Sequence, residues 1–153
     1  MEIGKLHIRR SALIKAKPAT VWEEFTTFER VSAWLDQGHK LHLFEPRLGG
    51  KVEFSVELEG AERYFGGEII VFEPEKELSI KDDWADKDFA FYASETTFWT
   101  FRLSEIKDET LVEIFHHGYE RFGDLARQAL EDYEIGWDNR HLIKLREIVE
   151  TQQ

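Results

Sequence analysis

Apolar and polar side chains alternate through much of the first 118 residues. In KVEFSVELEG, residues 51–60, Val52, Phe54, Val56 and Leu58 fall on one side and Lys51, Glu53, Ser55, Glu57 and Glu59 on the other. This two-residue period predicts a strand with one sheltered face. KLHIRRSALI, residues 5–14, repeats the period through Leu6, Ile8, Arg10, Ala12 and Ile14. Arg10 interrupts that face: turned inward it needs a carboxylate, a backbone acceptor or water, and at an edge its stem reaches solvent. EIIVF, ELSIK and residues 96–104 and 110–117 read as further strands, the last two as a hairpin turning through Glu105 to Glu109. The total is about six or seven strands. Gly49-Gly50 and Gly66-Gly67 mark separate turns, Asp82 to Asp88 reads as an acidic, aromatic loop, and Gly118 ends the last strand.

Two stretches change to the helical period. Pro18 suits a first helical turn, where its missing donor is not needed. Val21, Trp22, Phe25, Phe28, Val31, Trp34 and Leu35 follow at spacings that predict two short helices or one bent one. From Phe122 onward, Ala126, Ala129, Tyr133, Trp137, His141, Leu145 and Ile148 recur every three or four residues, widened by Leu125, Leu130, Leu142 and Val149. One helix from about residue 120 to 150 would span roughly 45 Å. The elements add up to an α+β domain over residues 1–153: a curved antiparallel sheet around a long C-terminal helix, with two short N-terminal helices.

The length of 153 residues suits one core, to which 5 Trp and 12 Phe contribute large side chains. A formal charge of -11, with no basic stripe, disfavours nucleic acid and anionic lipid heads. With no cysteine, disulfides and thiolate chemistry are excluded. No apolar run is long enough for membrane insertion and no secretion signal is apparent, so a cytoplasmic location is expected. GxxxxGK and GxGxxG are both missing.

A sheet curled around a helix meets it tightly along one line and leaves room elsewhere. Trp34, Phe54, Trp99, Phe101, Tyr133 and Trp137 are placed to fill or line that room, and Arg10, Tyr133 and His117 are candidate polar contacts for a ligand. His116 and His117 point to opposite faces of their strand and cannot share one ion: Leu111, Glu113, Phe115 and His117 lie on one side, Val112, Ile114 and His116 on the other. Asp138 and His141 stand at an i,i+3 spacing without completing a zinc pattern, and no carboxylate pair defines a glycosidase. Neither a metal nor a cofactor is expected, and no catalytic residue is assigned.

The KPATVW segment, LGGKVEF at residues 48–54, GEIIVFEP at residues 67–74, TLVEIFHHG at residues 110–118, and Gly136-Trp137 followed by Leu142 and Leu145 together resemble the AHSA1-like family. This is the Hsp90 ATPase activator homologue family of the START-like and Bet v 1-like (SRPBCC) superfamily. The resemblance covers nearly the whole chain and implies the helix-grip fold, with Trp22, Trp34, Gly49, Gly50, Gly118 and Trp137 at characteristic positions. It assigns no catalytic residue. Hsp90 activation is not implied, because full activators carry an additional N-terminal module and this chain reads as a lone domain.

The leading functional expectation is reversible binding of a small hydrophobic or amphipathic molecule in an internal cavity. Alternatives are an enzyme of cyclase or hydrolase type acting in the same cavity, and an acidic protein-interaction or chaperone-regulatory domain. Exposed strand edges also allow a homodimer.

Overall fold

The computed structural model describes residues 6–137 and 139–152. Among the described residues, seven strands form one antiparallel sheet: β1 (Ile8–Ile14), β2 (Lys40–Phe44), β3 (Lys51–Leu58), β4 (Ala61–Glu73), β5 (Glu77–Trp84), β6 (Thr97–Ile106) and β7 (Glu109–His117). Their order is β1-β7-β6-β5-β4-β3-β2, so β2 to β7 form a meander and β1 adds to its far edge. Inward positions follow the predicted alternation: Val52 and Phe54 on β3, Trp99, Phe101 and Leu103 on β6, and Val112, Ile114 and His116 on β7 are buried.

Two local expectations are corrected. Gly66 and Gly67 lie inside β4 and not at a turn; the chain reverses earlier, at Glu59 and Gly60, whose φ values of 53° and 75° suit a tight hairpin. A Cβ on Gly66 would stand 2.2 Å from the Val52 carbonyl oxygen, and one on Gly67 2.1 Å from that of Lys81. The two glycines therefore let β3 and β5 close on β4 from either side, which a side chain there would prevent. The second correction is at Asp82, which belongs to β5. That strand continues through Asp82, paired with Thr97, to Trp84, paired with Phe65.

Before β2, α1 (Pro18–Trp22) begins on its proline and α2 (Phe28–Leu35) is capped by Thr27, whose hydroxyl accepts from the Arg30 N–H. After β7 the chain forms a 3-10 segment, Tyr119–Leu125, then α3 (Ala126–Glu134) and α4 (Arg140–Thr151). The C-terminal helical layer crosses the sheet as expected, but it is not one unbroken helix. Gly123 departs from helical geometry with φ 59° and ψ -125°. Gly136 N–H and Trp137 N–H close tight turns onto Tyr133 O at 3.0 Å and Glu134 O at 3.1 Å. Asp138 lies outside the described residues. Glycine's poor helix propensity accounts for both interruptions, while the apolar stripe keeps its spacing across them.

The grip is tight at one end. Phe25, Trp34 and Phe101 meet at ring-centroid separations of 5.0 to 6.0 Å. Leu142, Leu145 and Val149 of α4 are buried in the same core. Trp34 has no exposed surface and its indole N–H donates to the Glu24 carbonyl at 2.9 Å. Beneath α3 the packing opens.

Candidate functional site

A cavity of about 530 Å³ lies between the end of α3, the α3–α4 junction and the concave face of the sheet. Inward positions of successive strands furnish its wall: Val56 and Leu58 from β3, Phe65 from β4, Asp82 and Trp84 from β5, Trp99 from β6 and His116 from β7. Tyr133, Ile135, Gly136 and Trp137 cover it from the helical side, and Gln37, Gly38 and His39 approach from the α2–β2 connection. The break in the helical layer therefore sits at the cavity rim. There Ile135 is 84% exposed, although it is apolar.

The wall's polar atoms are linked. Trp137 Nε1–H donates to His116 Nδ1 at 2.8 Å, so the other ring nitrogen carries the proton and donates to Thr97 Oγ1 at 2.8 Å. Trp84 Nε1–H donates to the Tyr133 hydroxyl at 2.6 Å, and that hydroxyl points its own proton at the Tyr92 carbonyl, 3.2 Å away. Trp99 Nε1–H donates to Asp82 Oδ2 at 2.9 Å. Asp82 Oδ1 has no hydrogen-bond partner, although the residue is only 3% exposed. An unmatched buried carboxyl oxygen is unusual, because each such atom carries a desolvation penalty of about 1–3 kcal/mol.

The surroundings decide the charge states. Burial pushes the Asp82 carboxyl up to about 7, against the opposing bond from Trp99 and weaker opposing pulls from Lys87 and the Gly66 backbone N–H. Burial lowers His116 to about 3, with His117 adding to the effect. His116 is therefore neutral, and its 4.0 Å approach to Asp82 is no ion pair. His39 is also lowered to about 3, by burial and by the neighbouring His141 and Arg140. Burial raises the phenols of Tyr119 and Tyr133 far above their ordinary range. Among the described residues no cluster has the make-up of a metal site.

Of the eight residues singled out from the sequence, Trp99, Tyr133 and Trp137 meet on this cavity. Trp34 and Phe101 are packed at the filled end. Phe54 stands behind the wall, stacked on Phe65 at 5.2 Å and tilted against Trp99 at 5.1 Å. Arg10 belongs to edge strand β1, where its guanidinium donates to the neighbouring Arg9 carbonyl at 2.9 Å, away from the cavity. His117 faces outward, stacked on Phe98 and bonded to Thr100 Oγ1 at 3.0 Å, beside a shallow outer depression. The predicted face assignment of the two histidines holds, but the inner one is His116.

Asp82, Trp84, His116 and His39 were not among the expected contacts. The first two share the parity of Leu78 and Ile80 in ELSIKDDW, and His116 that of Ile114. Strand alternation carried to its end would have found all three. His39 has no such signal.

A family model described as Activator of Hsp90 ATPase homolog 1-like protein matches residues 15–150. Among solved structures, protein Ms6760 from Mycobacterium smegmatis aligns with a TM-score of 0.73 at 15% identity, over 99% of this chain and 96% of that one. Protein CV1439 from Chromobacterium violaceum aligns at 0.71 and 21% identity, over 94% and 96%. The Aha1 dimer from Colwellia psychrerythraea, solved in solution, aligns at 0.58 and 17% identity, over 94% and 96%. At these identities the solved structures establish a shared fold. No curated protein matches the chain. Among the described residues, no helix is long and apolar enough to cross a membrane.

Proposed function

The chain belongs to the activator of Hsp90 ATPase homologue 1-like family, with its START-like helix-grip fold, and on that premise we propose that it reversibly binds a small, largely apolar molecule beneath α3. The observation that carries this reading is the cavity itself: about 530 Å³, walled by aromatic rings and containing a few oriented polar atoms. Small-molecule sites typically have that size and make-up. A guest that loses about 250 Å² of apolar surface gains about 6 kcal/mol from burial, before the cost of immobilisation is subtracted. Trp99 and Trp137 supply ring surface to the guest, and Tyr133 holds the helical wall in place through its bond with Trp84.

Native mass spectrometry of gently purified protein tests the proposal, because a bound guest adds a discrete mass. The comparison is Val56→Trp, which places an indole in the cavity from a β3 position already facing it. Loss of the adduct in a folded Val56→Trp protein is the expected result. An adduct that persists undiminished would place the binding site elsewhere, and its absence from wild type across a panel of added apolar compounds would defeat the reading.

A further inference from the structure

The cavity wall has an uneven supply of hydrogen-bonding groups. All three of its indole N–H groups are occupied within the protein, by Asp82, His116 and Tyr133. They leave ring surface facing the guest, and no indole donor. The His116 proton is likewise directed to Thr97. Two lining residues keep an unmatched atom: Asp82 on the sheet wall, through the acceptor Oδ1, and His39 on the α2–β2 connection, through Nδ1. A carboxylate guest would find N–H groups only on the Gln37, His39 and Arg140 side of the cavity, and at the sheet wall it would meet the Asp82 charge. A guest that brings N–H donors and positive charge satisfies this oxygen and can also rest against the faces of Trp and Tyr rings.

The outer electrostatics agree. Glu59 and Asp132 border the cavity with Arg140 as its cationic neighbour, and the chain as a whole carries -11. Such a field raises the local concentration of cations.

Building on the cavity reading above, we infer that the guest is an organic cation: an amine whose ammonium bonds to Asp82 and whose apolar body lies among Trp84, Trp99, Tyr133 and Trp137. The inference rests on the unpartnered carboxyl oxygen, the occupied indole donors and the ring-lined space around them.

Calorimetric titration with three probes of nearly equal shape tests it: naphthylethylamine, naphthylethanol and naphthylacetate. At about pH 8 the amine should bind at least about tenfold more tightly than the alcohol, with the carboxylate weakest. Amine affinity should fall on moving to about pH 6, where Asp82 takes up a proton, while the alcohol should show no such fall. The other groups around Asp82 are His116 from β7, Tyr119 and Tyr133 from the C-terminal segment, and Asp83 and Lys87 beyond it on its own strand and the following loop. Burial holds His116 neutral and both phenols protonated across that interval.

Asp82→Asn keeps the shape while removing the charge. In folded Asp82→Asn protein the amine should lose its advantage over the alcohol and its pH dependence. The wild-type comparison of the probes remains decisive even should the variant fold poorly. Equal or tighter binding of alcohol or carboxylate to wild type overturns the cation inference and leaves the cavity reading standing. Retention of the amine preference in Asp82→Asn also overturns it, and failure of all three probes to bind defeats both readings.

Discussion

Residues with similar composition do different work at the two ends of the grip. Trp34 fills space completely at the closed end, so Trp34→Ala should cost about 3–5 kcal/mol, with most of the loss coming from the void left behind. Denaturant unfolding measures it. Tyr133→Phe removes one oxygen at the open end and strands the Trp84 indole N–H, which should cost about 1–3 kcal/mol without changing the ring-lined shape. If Tyr133→Phe is as stable as wild type, water or another acceptor replaces the phenol. The positions of Trp99, Tyr133 and Trp137 on the cavity wall were legible because each continues a strand or helix period. Asp82 was hidden by its own chemistry. Four Asp in the seven residues DDWADKD resemble solvated loop composition, and only the inward parity after Leu78 and Ile80 contradicts that appearance.

At the level of elements, the sheet depends on two glycines that resemble a turn in sequence. Glycine gives no inherent sign of whether it supplies a reversal or admits a neighbouring backbone, and only the pairing on both sides distinguishes the cases. Gly66→Ala would force its new methyl to within 2.2 Å of the Val52 carbonyl oxygen, so strands must separate. Thermal unfolding should show a severe loss, well beyond that of Gly60→Ala, where nothing lies within 4 Å and the positive φ alone adds strain of about 1 kcal/mol. Comparable losses would mean that β3 and β4 can reposition cheaply. The C-terminal interruption escaped the periodicity for a related reason: an apolar stripe reports which side is buried, not whether each backbone bond is made. Gly136 placed there ends α3 at the rim of the cavity and not over its centre.

Across the whole molecule, stability against pH combines groups that pull in opposite directions. His39 and His116, held neutral down to about 3, bind protons only after unfolding as pH falls below about 6.5. They therefore stabilise the fold near neutrality, and that contribution is lost as the solution is acidified. Asp82 does the reverse: raised to about 7, it remains protonated in the folded chain where an unfolded Asp has already ionised, so its contribution declines as pH rises from about 4 to about 7. Two histidines outweigh one carboxyl between about pH 4 and 6.5, so this trio makes stability rise across that interval and turn down slightly just above it. Asp82→Asn removes the opposing carboxyl. Its stability relative to wild type should grow by up to about 4 kcal/mol between about pH 4 and pH 8, most of it below pH 7. Urea unfolding of both proteins across that range reads the difference directly, and it is insensitive to groups the two proteins share. Parallel curves would mean that Asp82 titrates normally in the folded protein, through water reaching Oδ1, and would take away the unmatched acceptor from which the cation preference follows.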